Sequence, residues 1–208
     1  MNFPINIQTP THGRRSFLAT LAAAVPTFTG VAAFAKNSDT PPRASAKDLK
    51  PVKDIVAFKQ EFARAWKRSE DYTLTVFEQM PEEKLLYKYT PESFTFAFQF
   101  IHCIIFSANH VAVRLGVPNP YEKRKRDAWD NISKADLSKE LHEFYAWVRK
   151  VVNEAPPKTL LEEEKFAGDT IPKWQLLLGL ENHIIHHRGQ AIVYLRLNGV
   201  TPEGYVGW

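Results

Sequence analysis

A stretch without charged residues, from Ser93 to Val113, is the strongest constraint on how this chain folds. Thr90-Pro91-Glu92 in front of it offers an N-cap, a first-turn proline and a first-turn acid, while Gly116 and Pro118 behind it are typical helix terminators. A helix that is apolar nearly all round must be covered by other elements to be stable in water. We therefore expect a helix from about Thr90 to Leu115 at the centre of the domain.

Three further helical patterns supply that cover, because their apolar residues recur at spacings of three and four. No segment shows strand alternation over a useful length, so the sequence predicts an all-α domain, an antiparallel four-helix bundle. The first pattern runs from about Pro51 to Met80, and Pro81 ends it. The second begins at the cap-like Ser133-Lys134-Ala135-Asp136 and ends before Pro156-Pro157. The third begins near Pro172, where Asp169 and Thr170 offer caps, and continues to Asn198.

Charge and cysteine content exclude several classes of function. The chain has 27 basic and 23 acidic residues, and Arg14 and Arg15 are the only charged residues before residue 36, so the rest is close to neutral. This charge balance does not indicate a nucleic-acid-binding protein. Cys103 is the single cysteine, which excludes an intramolecular disulfide and a zinc site built on cysteines. A metal ion would have to be held by His, Asp or Glu.

The first 35 residues read as an export signal. Arg14-Arg15-Ser16-Phe17-Leu18 resembles the twin-arginine consensus, and an uncharged, Ala-rich stretch follows that ends in Ala33-Phe34-Ala35, a small-x-small cleavage pattern. We expect a signal peptide over residues 1–35, a polar linker over 36–50 and the bundle over 51–208. The chain would then be exported to a bacterial periplasm and keep no stable membrane anchor after cleavage. An uncleaved anchor, or an accidental pair of arginines in a tail, is the alternative.

Three histidines lie within five residues of the last predicted helix. At about 100° per residue, His183 and His187 are roughly 40° apart on one face, whereas His186 lies to the side of both. Two neutral imidazoles one turn apart can aim nitrogens at an ion about 2.0–2.1 Å from each. We predict that His183 and His187 form a metal clamp, with His186 and Gln190 beside it as partners that orient a ligand or substrate. For Gln190, an ordinary helix-surface position is the alternative.

The third ligand must come from another helix. His102 lies in the middle of the uncharged stretch, where a buried ionisable group is costly unless something satisfies it. Coordination would satisfy it, although an interior histidine that only forms a hydrogen bond would do so as well. His110, on the same helix but about 80° round the axis, is the rival ligand.

The same region carries a family resemblance. The run from Glu181 through His183, His186, His187, Arg188, Gly189 and Gln190, and the ending Pro202 to Trp208, resemble the last helix and tail of the DinB-like, or YfiT-like, superfamily. Met80-Pro81-Glu82-Glu83-Lys84-Leu85 and the segment from Ser93 to His102 resemble its first connection and second helix. The resemblance covers about residues 54–208. It implies a four-helix bundle with a three-histidine metal site, which by position is His102, His183 and His187.

The resemblance also implies a range of activities. Some branches of the superfamily resemble thiol-dependent S-transferases, and others are described as metal-dependent hydrolases. Three neutral ligands leave a divalent ion its full charge and an open position, where a water or thiol would become a nucleophile near neutral pH. We expect zinc or nickel first, with iron, cobalt, copper and manganese as alternatives. The expected partner is a small-molecule substrate, with or without a thiol cosubstrate.

Two further questions stay open at this point. A non-catalytic exported protein that binds a metal or small ligand is the alternative function. A homodimer is an alternative to a monomer.

Overall fold

A computed structural model describes residues 51–166 and 168–206 of the chain. The described residues are mostly helical, which confirms the all-α prediction. The long helices are α1 (Pro51–Glu78), α2 (Phe96–Leu115), α4 (Lys134–Glu154) and α6 (Lys173–Leu197), and the short elements are α3 (Arg126–Asp130), α5 (Pro157–Leu161), β1 (Glu163–Phe166) and β2 (Asp169–Pro172). The predicted signal peptide and linker lie outside the described residues and stay predictions.

Contacts between the long helices give their relative directions. The ammonium group of Lys134 donates to the carbonyl of Glu78, and that of Lys59 donates to the carbonyl of Asn153, so α1 and α4 are antiparallel. The pair α2 and α6 is antiparallel as well, because Phe96 at the start of α2 packs on Tyr194 near the end of α6. By contrast, α1 and α6 run in the same direction, since Phe58 packs on Trp174 near the start of both. The bundle thus consists of two antiparallel pairs.

The core lies between these four helices and is rich in aromatic side chains. Trp66 of α1 is 1% exposed, stacks on Phe62, and donates its indole N–H to the carbonyl of Tyr145 at 3.1 Å. Phe77 meets Phe100 of α2 edge to face. The satisfied indole nitrogen lets Trp66 be buried without an unpaired donor. Helix α2 is apolar and long enough to cross a membrane by composition alone, but most of it is buried inside this bundle.

Helix α2 begins later than the sequence predicted. Its N-cap is Thr95, whose side-chain oxygen accepts from the backbone N–H of Phe98 at 3.0 Å. Thr90 instead contacts the hydroxyl of Ser93 at 2.7 Å within the preceding turn. Both threonines have the residue type of a cap, and the path of the connection decides which of them reaches a free N–H. The predicted end is confirmed, since Gly116 takes a φ of 67° there.

The last helix also begins at a different place. Asp169 and Thr170, expected as caps, belong to strand β2, which pairs with β1 in an antiparallel hairpin, and α6 starts at Lys173 with no side-chain cap. A hairpin with strands this short leaves little alternation in the sequence to detect. The predicted Ser133 cap of α4 is confirmed, because its hydroxyl accepts from the N–H of Asp136.

The long connection between α2 and α4 is tied to the bundle near its basic run. Arg124 forms an ion pair with Glu140 of α4 and places its guanidinium 3.9 Å from the ring centroid of Trp129. Trp129 is itself 3% exposed and belongs to the core.

Candidate metal centre

The two histidines of α6 point at a common position. Their Nε2 atoms lie 3.1 Å apart, one helical turn separating the residues. Two nitrogens bound to one ion at about 2.0–2.1 Å, with an angle between about 90° and 110°, are about 2.9–3.4 Å apart. The observed separation between His183 and His187 therefore fits two ligands of the same ion.

His102 of α2 completes the group. Its ring centroid lies 5.0 Å from that of His183 and 4.8 Å from that of His187, and the ligand atoms of all three residues lie within 4.8 Å of one another. Antiparallel packing of α2 against α6 produces this meeting, because it brings the middle of one helix against the middle of the other. Three histidines so close together could hold a metal ion, whereas their role as ligands stays a proposal.

The rival ligand lies elsewhere. His110, two turns further along α2, packs against Phe106 at 4.3 Å and Phe166 at 5.7 Å between ring centroids. Phe106 in turn lies against His183, so a phenylalanine ring contacts both of these imidazoles. His110 does not belong to the three-histidine group, and its Nδ1 is buried with no hydrogen-bond partner among the described residues.

A hydrogen bond to another helix orients His187, whereas within the described residues His183 has a hydrogen bond to His187 alone. The Nδ1–H of His187 donates to the side-chain oxygen of Gln99 at 2.6 Å, which leaves Nε2 with its lone pair towards the cluster. Nδ1 of His183 is buried without a partner in the described part of the chain. A buried nitrogen without a hydrogen-bond partner costs free energy.

His186 and Gln190 lie beside the group, and their predicted role in orienting a ligand or substrate stays a prediction. Gln190 donates from Nε2 to Nε2 of His186 at 2.7 Å, and its side-chain oxygen accepts from Nε2 of Gln99 at 3.2 Å. His186 is exposed, and its ring lies 5.0 Å from that of His187. Gln190 is thus a hydrogen-bond partner near the site rather than an ordinary surface residue.

All three imidazoles of the group are shifted towards their neutral form. Burial lowers the pKa of His102, and burial together with the neighbouring imidazoles lowers the pKa of His183 and of His187 to about 4. Low-dielectric surroundings disfavour the imidazolium, and a second positive ring nearby disfavours it further. Neutral rings keep the lone pair that a metal requires, so the group is available for coordination near pH 7.

Phenylalanine rings surround the imidazoles. Phe94 lies 5.3 Å from His102 and 6.1 Å from His187, and Phe98 and Phe106 contact His102 as well. Phe94 and Phe98 also line a cavity of about 670 Å³ under the segment before α2. A molecule that approached the histidines from this side would meet an apolar, aromatic surface.

Two other reactive side chains, Glu181 and Cys103, lie outside the three-histidine group. Glu181 faces α1, where burial raises the pKa of its carboxyl, and Cys103 is buried with its thiol pKa raised by the same cause. Neither belongs to the three-histidine group. The group contains no carboxylate, so it matches a site with three imidazole ligands.

Gln99 and the aromatic residues around the site were not predicted from the sequence. Gln99 is 1% exposed and lies three residues before His102, where the uncharged stretch has one of its few polar side chains. A buried amide has to be satisfied, and this could have been the signal. The partner that satisfies it lies on another helix and is visible only in the structure.

A helical bundle in which three histidines from two helices converge defines a class of protein with a site able to hold a metal ion. The DinB family model matches residues 52–207, and this chain therefore belongs to the DinB family.

Two solved structures have a similar fold, and one curated protein matches part of the chain. A DinB-like protein (YjoA) from Bacillus subtilis superposes with a TM-score of 0.58 at 16% identity, covering 71% of this chain and 98% of that one. A DinB-like protein from Bacillus cereus ATCC 10987 gives 0.57 at 19%, covering 70% and 96%. At this level of identity the likeness shows the fold. The uncharacterized protein YrdA of Bacillus subtilis (strain 168) is 37% identical over 62 residues, which span 30% of this chain and 37% of that protein.

Proposed function

We propose that this protein binds one divalent transition-metal ion through His102, His183 and His187, and that it uses the ion in a reaction on a small molecule. The observation that carries the proposal is the 3.1 Å separation of the Nε2 atoms of His183 and His187, with the ring of His102 beside them. Neutral imidazoles with lowered pKa values support it. Zinc or nickel suits an all-imidazole site best, and iron, cobalt, copper and manganese are the alternatives.

The proposed reactions are hydrolysis and thiol-dependent S-transfer. When bound, a divalent ion supplies a Lewis acid that lowers the pKa of a water or thiol beside it. The chain's own contribution is to hold three neutral imidazoles, to orient His187 through Gln99, and to surround the site with the rings of Phe94, Phe98 and Phe106. These rings would contact the apolar part of a substrate.

The second candidate function is metal or small-ligand binding without catalysis. The observation that favours it is the absence of a carboxylate from the three-histidine group, which leaves no general base within that group. An open coordination position separates the two candidates, because a non-catalytic site can be closed by a fourth ligand. Titration of cobalt-loaded protein with a small thiol, followed by visible absorption, tests this: a changed spectrum supports the enzyme, and an unchanged one supports the binding protein.

Metal analysis of the chain, purified without a histidine tag, tests the site itself. We expect about one ion per chain in the native protein and none in His183→Ala. His110→Ala is the matched control, because it removes a part-buried imidazole that lies outside the group, and its ion content should equal that of the native protein. Equal ion content in His183→Ala and the native chain would contradict the proposal.

Export is part of the proposal and rests on Arg14-Arg15 and Ala33-Phe34-Ala35. The twin-arginine route resembles a carrier of folded cargo, which suits a protein that acquires its ion before export. Expression in a bacterium and cell fractionation should find a shortened chain in the periplasm. Arg14→Lys/Arg15→Lys should keep the full-length chain in the cytoplasm, and a shortened periplasmic chain from that variant would contradict the twin-arginine route.

We also propose a homodimer. Leu178, Ile185 and Val193 are 46%, 45% and 49% exposed on the outer side of α6, and burial against a second copy would remove this apolar surface from water. Sedimentation analysis should give a dimer that Ile185→Glu dissociates. A monomeric native protein would contradict this part of the proposal alone.

A further inference from the structure

A chain of hydrogen bonds runs from the metal centre to a backbone carbonyl. Gln99, 1% exposed on α2, accepts from Nδ1 of His187 at 2.6 Å and donates from its own Nε2 to the hydroxyl of Tyr194 at 3.3 Å. Tyr194, also 1% exposed, donates its hydroxyl proton to the carbonyl of Phe94 at 2.8 Å. Four groups from α2, α6 and the segment before α2 are linked in this way.

The carbonyl of Phe94, at the end of this series of hydrogen bonds, determines which atom donates in each of them. A backbone carbonyl only accepts, so the single hydroxyl proton of Tyr194 must point at Phe94. The oxygen of Tyr194 must then accept from Gln99, which places the amide NH₂ of Gln99 on that side. The amide oxygen of Gln99 therefore faces His187 and has to receive a proton from Nδ1 of that ring.

The consequence for His187 is a single tautomer. A neutral imidazole carries one proton, and with that proton on Nδ1 its lone pair lies on Nε2. Nε2 is the atom that lies 3.1 Å from Nε2 of His183. The other tautomer would direct an N–H at the same position and could not bind an ion there.

We propose that Gln99 is a positioning residue of the metal site, which sets the tautomer and the ring orientation of His187 before an ion arrives. The inference rests on the proposed metal-binding function. Tyr194 acts one step further away, by allowing only one of the two orientations of the Gln99 amide. Partners of this kind typically change metal affinity 10- to 100-fold when they are removed.

Two measurements on the full mature domain test the role of Gln99. The first is ¹⁵N NMR of the histidine rings in chelator-treated protein, which reports the tautomer of His187 without any metal. The second is Zn²⁺ affinity, determined by competition with a chromophoric chelator. In Gln99→Leu, which keeps the size but removes the acceptor, we expect signal from the Nε2–H tautomer of His187 and an affinity about 10- to 100-fold weaker.

Two further variants separate the role of Gln99, which accepts from His187, from that of Tyr194, which anchors the Gln99 amide in one orientation. Gln99→Glu keeps an acceptor for Nδ1–H, so it should retain the Nδ1–H tautomer and most of the affinity. Tyr194→Phe removes the hydroxyl and leaves the side-chain oxygen of Gln190, at 3.2 Å, as the other acceptor of the Gln99 amide. The amide of Gln190 can itself reverse, because its partner Nε2 of His186 either accepts or donates according to its tautomer, so Gln99 can take both orientations and His187 should show a mixture of tautomers. If both orientations were equally populated, half of the molecules would be competent and affinity would fall about twofold.

Thr73→Val is the matched control for lost buried hydrogen bonds. Thr73 contacts the hydroxyl of Tyr145 at 2.9 Å and accepts from Arg188 at 3.1 Å, and neither contact reaches an imidazole. The ¹⁵N NMR spectrum of the histidine rings and the Zn²⁺ affinity of Thr73→Val should equal those of the native protein. A fall in affinity in Thr73→Val as large as that in Gln99→Leu would show that general destabilisation explains the effect, which overturns the inference.

The remaining outcomes are decisive as well. An unchanged His187 tautomer in Gln99→Leu, or an affinity within about twofold of the native value, overturns the role of Gln99. If Gln99→Leu does not fold, a pure Nδ1–H tautomer in Tyr194→Phe overturns the role of the anchor. A native protein without Zn²⁺ affinity contradicts the proposed function instead, and the tautomer measurement on metal-free protein still decides whether Gln99 sets the ring.

Discussion

His183 and His187 place their Nε2 atoms 3.1 Å apart on one face of α6, although no described residue of another element forms a hydrogen bond with His183. Gln99 of α2 thus orients the ring of His187. The orientation of the His183 ring depends on its contacts within the three-histidine group. Metal binding and protonation at these two rings should therefore change the free energy of unfolding.

Zinc should stabilise the folded protein by mass action. An ion that binds the folded chain alone adds about 2.7 kcal/mol to the free energy of unfolding when it is present at about 100 times its dissociation constant. Thermal unfolding with and without Zn²⁺ measures this as an increase in Tm. His102→Ala should abolish the increase, whereas His110→Ala should preserve it. An equal increase in Tm for His102→Ala would show that the ion binds elsewhere.

Acid should destabilise the metal-free protein through the same histidines. Unfolded imidazoles bind a proton near pH 6.5, whereas burial and neighbouring rings lower the pKa of His183 and His187 to about 4 in the folded state. Between these values the unfolded chain holds more protons, so the free energy of unfolding should fall as the pH falls from about 6.5 towards 4. Urea unfolding in the presence of a chelator measures it across this range.

A double variant isolates that contribution. His183→Gln/His187→Gln should lose free energy of unfolding less steeply between about pH 6.5 and 4. Burial raises the pKa of Glu181, which acts with the opposite sign, but this carboxyl is common to both proteins and its effect cancels in the comparison. Identical slopes for the two proteins would mean that the imidazoles are protonated as easily in the folded state as in the unfolded one.

Arg188 should support the fold rather than the metal. Its guanidinium is buried between α6 and α1, where it donates to the carbonyl and hydroxyl of Ser69 and to Thr73, and it lies 4.7 Å from the ring centroid of Tyr72. Arg188→Ala would remove these buried hydrogen bonds and the packing of the guanidinium on Tyr72, and it should lower the free energy of unfolding by about 2–4 kcal/mol. Urea unfolding gives the loss, and metal analysis should still find the native ion content. Loss of the ion in a folded Arg188→Ala protein would assign Arg188 to the site.

Thr95 should be the cap that matters for α2. Its side chain accepts from the N–H of Phe98, so Thr95→Ala should cost about 1 kcal/mol in free energy of unfolding. Thr90→Ala is the control, because the hydroxyl of Thr90 contacts Ser93 and caps no helix, and it should cost clearly less. Urea unfolding of the two variants compares them. An equal or larger cost for Thr90→Ala would contradict Thr95 as the N-cap and would support a start of α2 near Thr90.

The tertiary structure corrected the sequence-based prediction where two local solutions competed. Thr90 and Thr95 are equally suited to cap a helix, and the segment before α2 decides between them by its path across the bundle. The same holds for Asp169 and Thr170, which have the residue types of caps but form a strand because β1 lies beside them. Local propensity does not include a partner strand, so this outcome could not be read from the residues.

From the sequence alone, the fold class of the chain and two of the three histidines of its candidate site follow. The uncharged stretch from Ser93 to Val113 requires a helical bundle around it, and the spacing of His183 and His187 places both rings on one helix face. Both inferences depend on interactions within a few residues, which the order of residues determines directly.

Only the tertiary structure decided the rest. His102 and His110 were both candidates for the third position, and the antiparallel packing of α2 on α6 brings the ring of His102 to the pair while His110 packs against Phe106 and Phe166. Gln99 meets His187 for the same reason. Distances between side chains of different helices are set by how the helix faces pack, and that packing depends on all the core residues together.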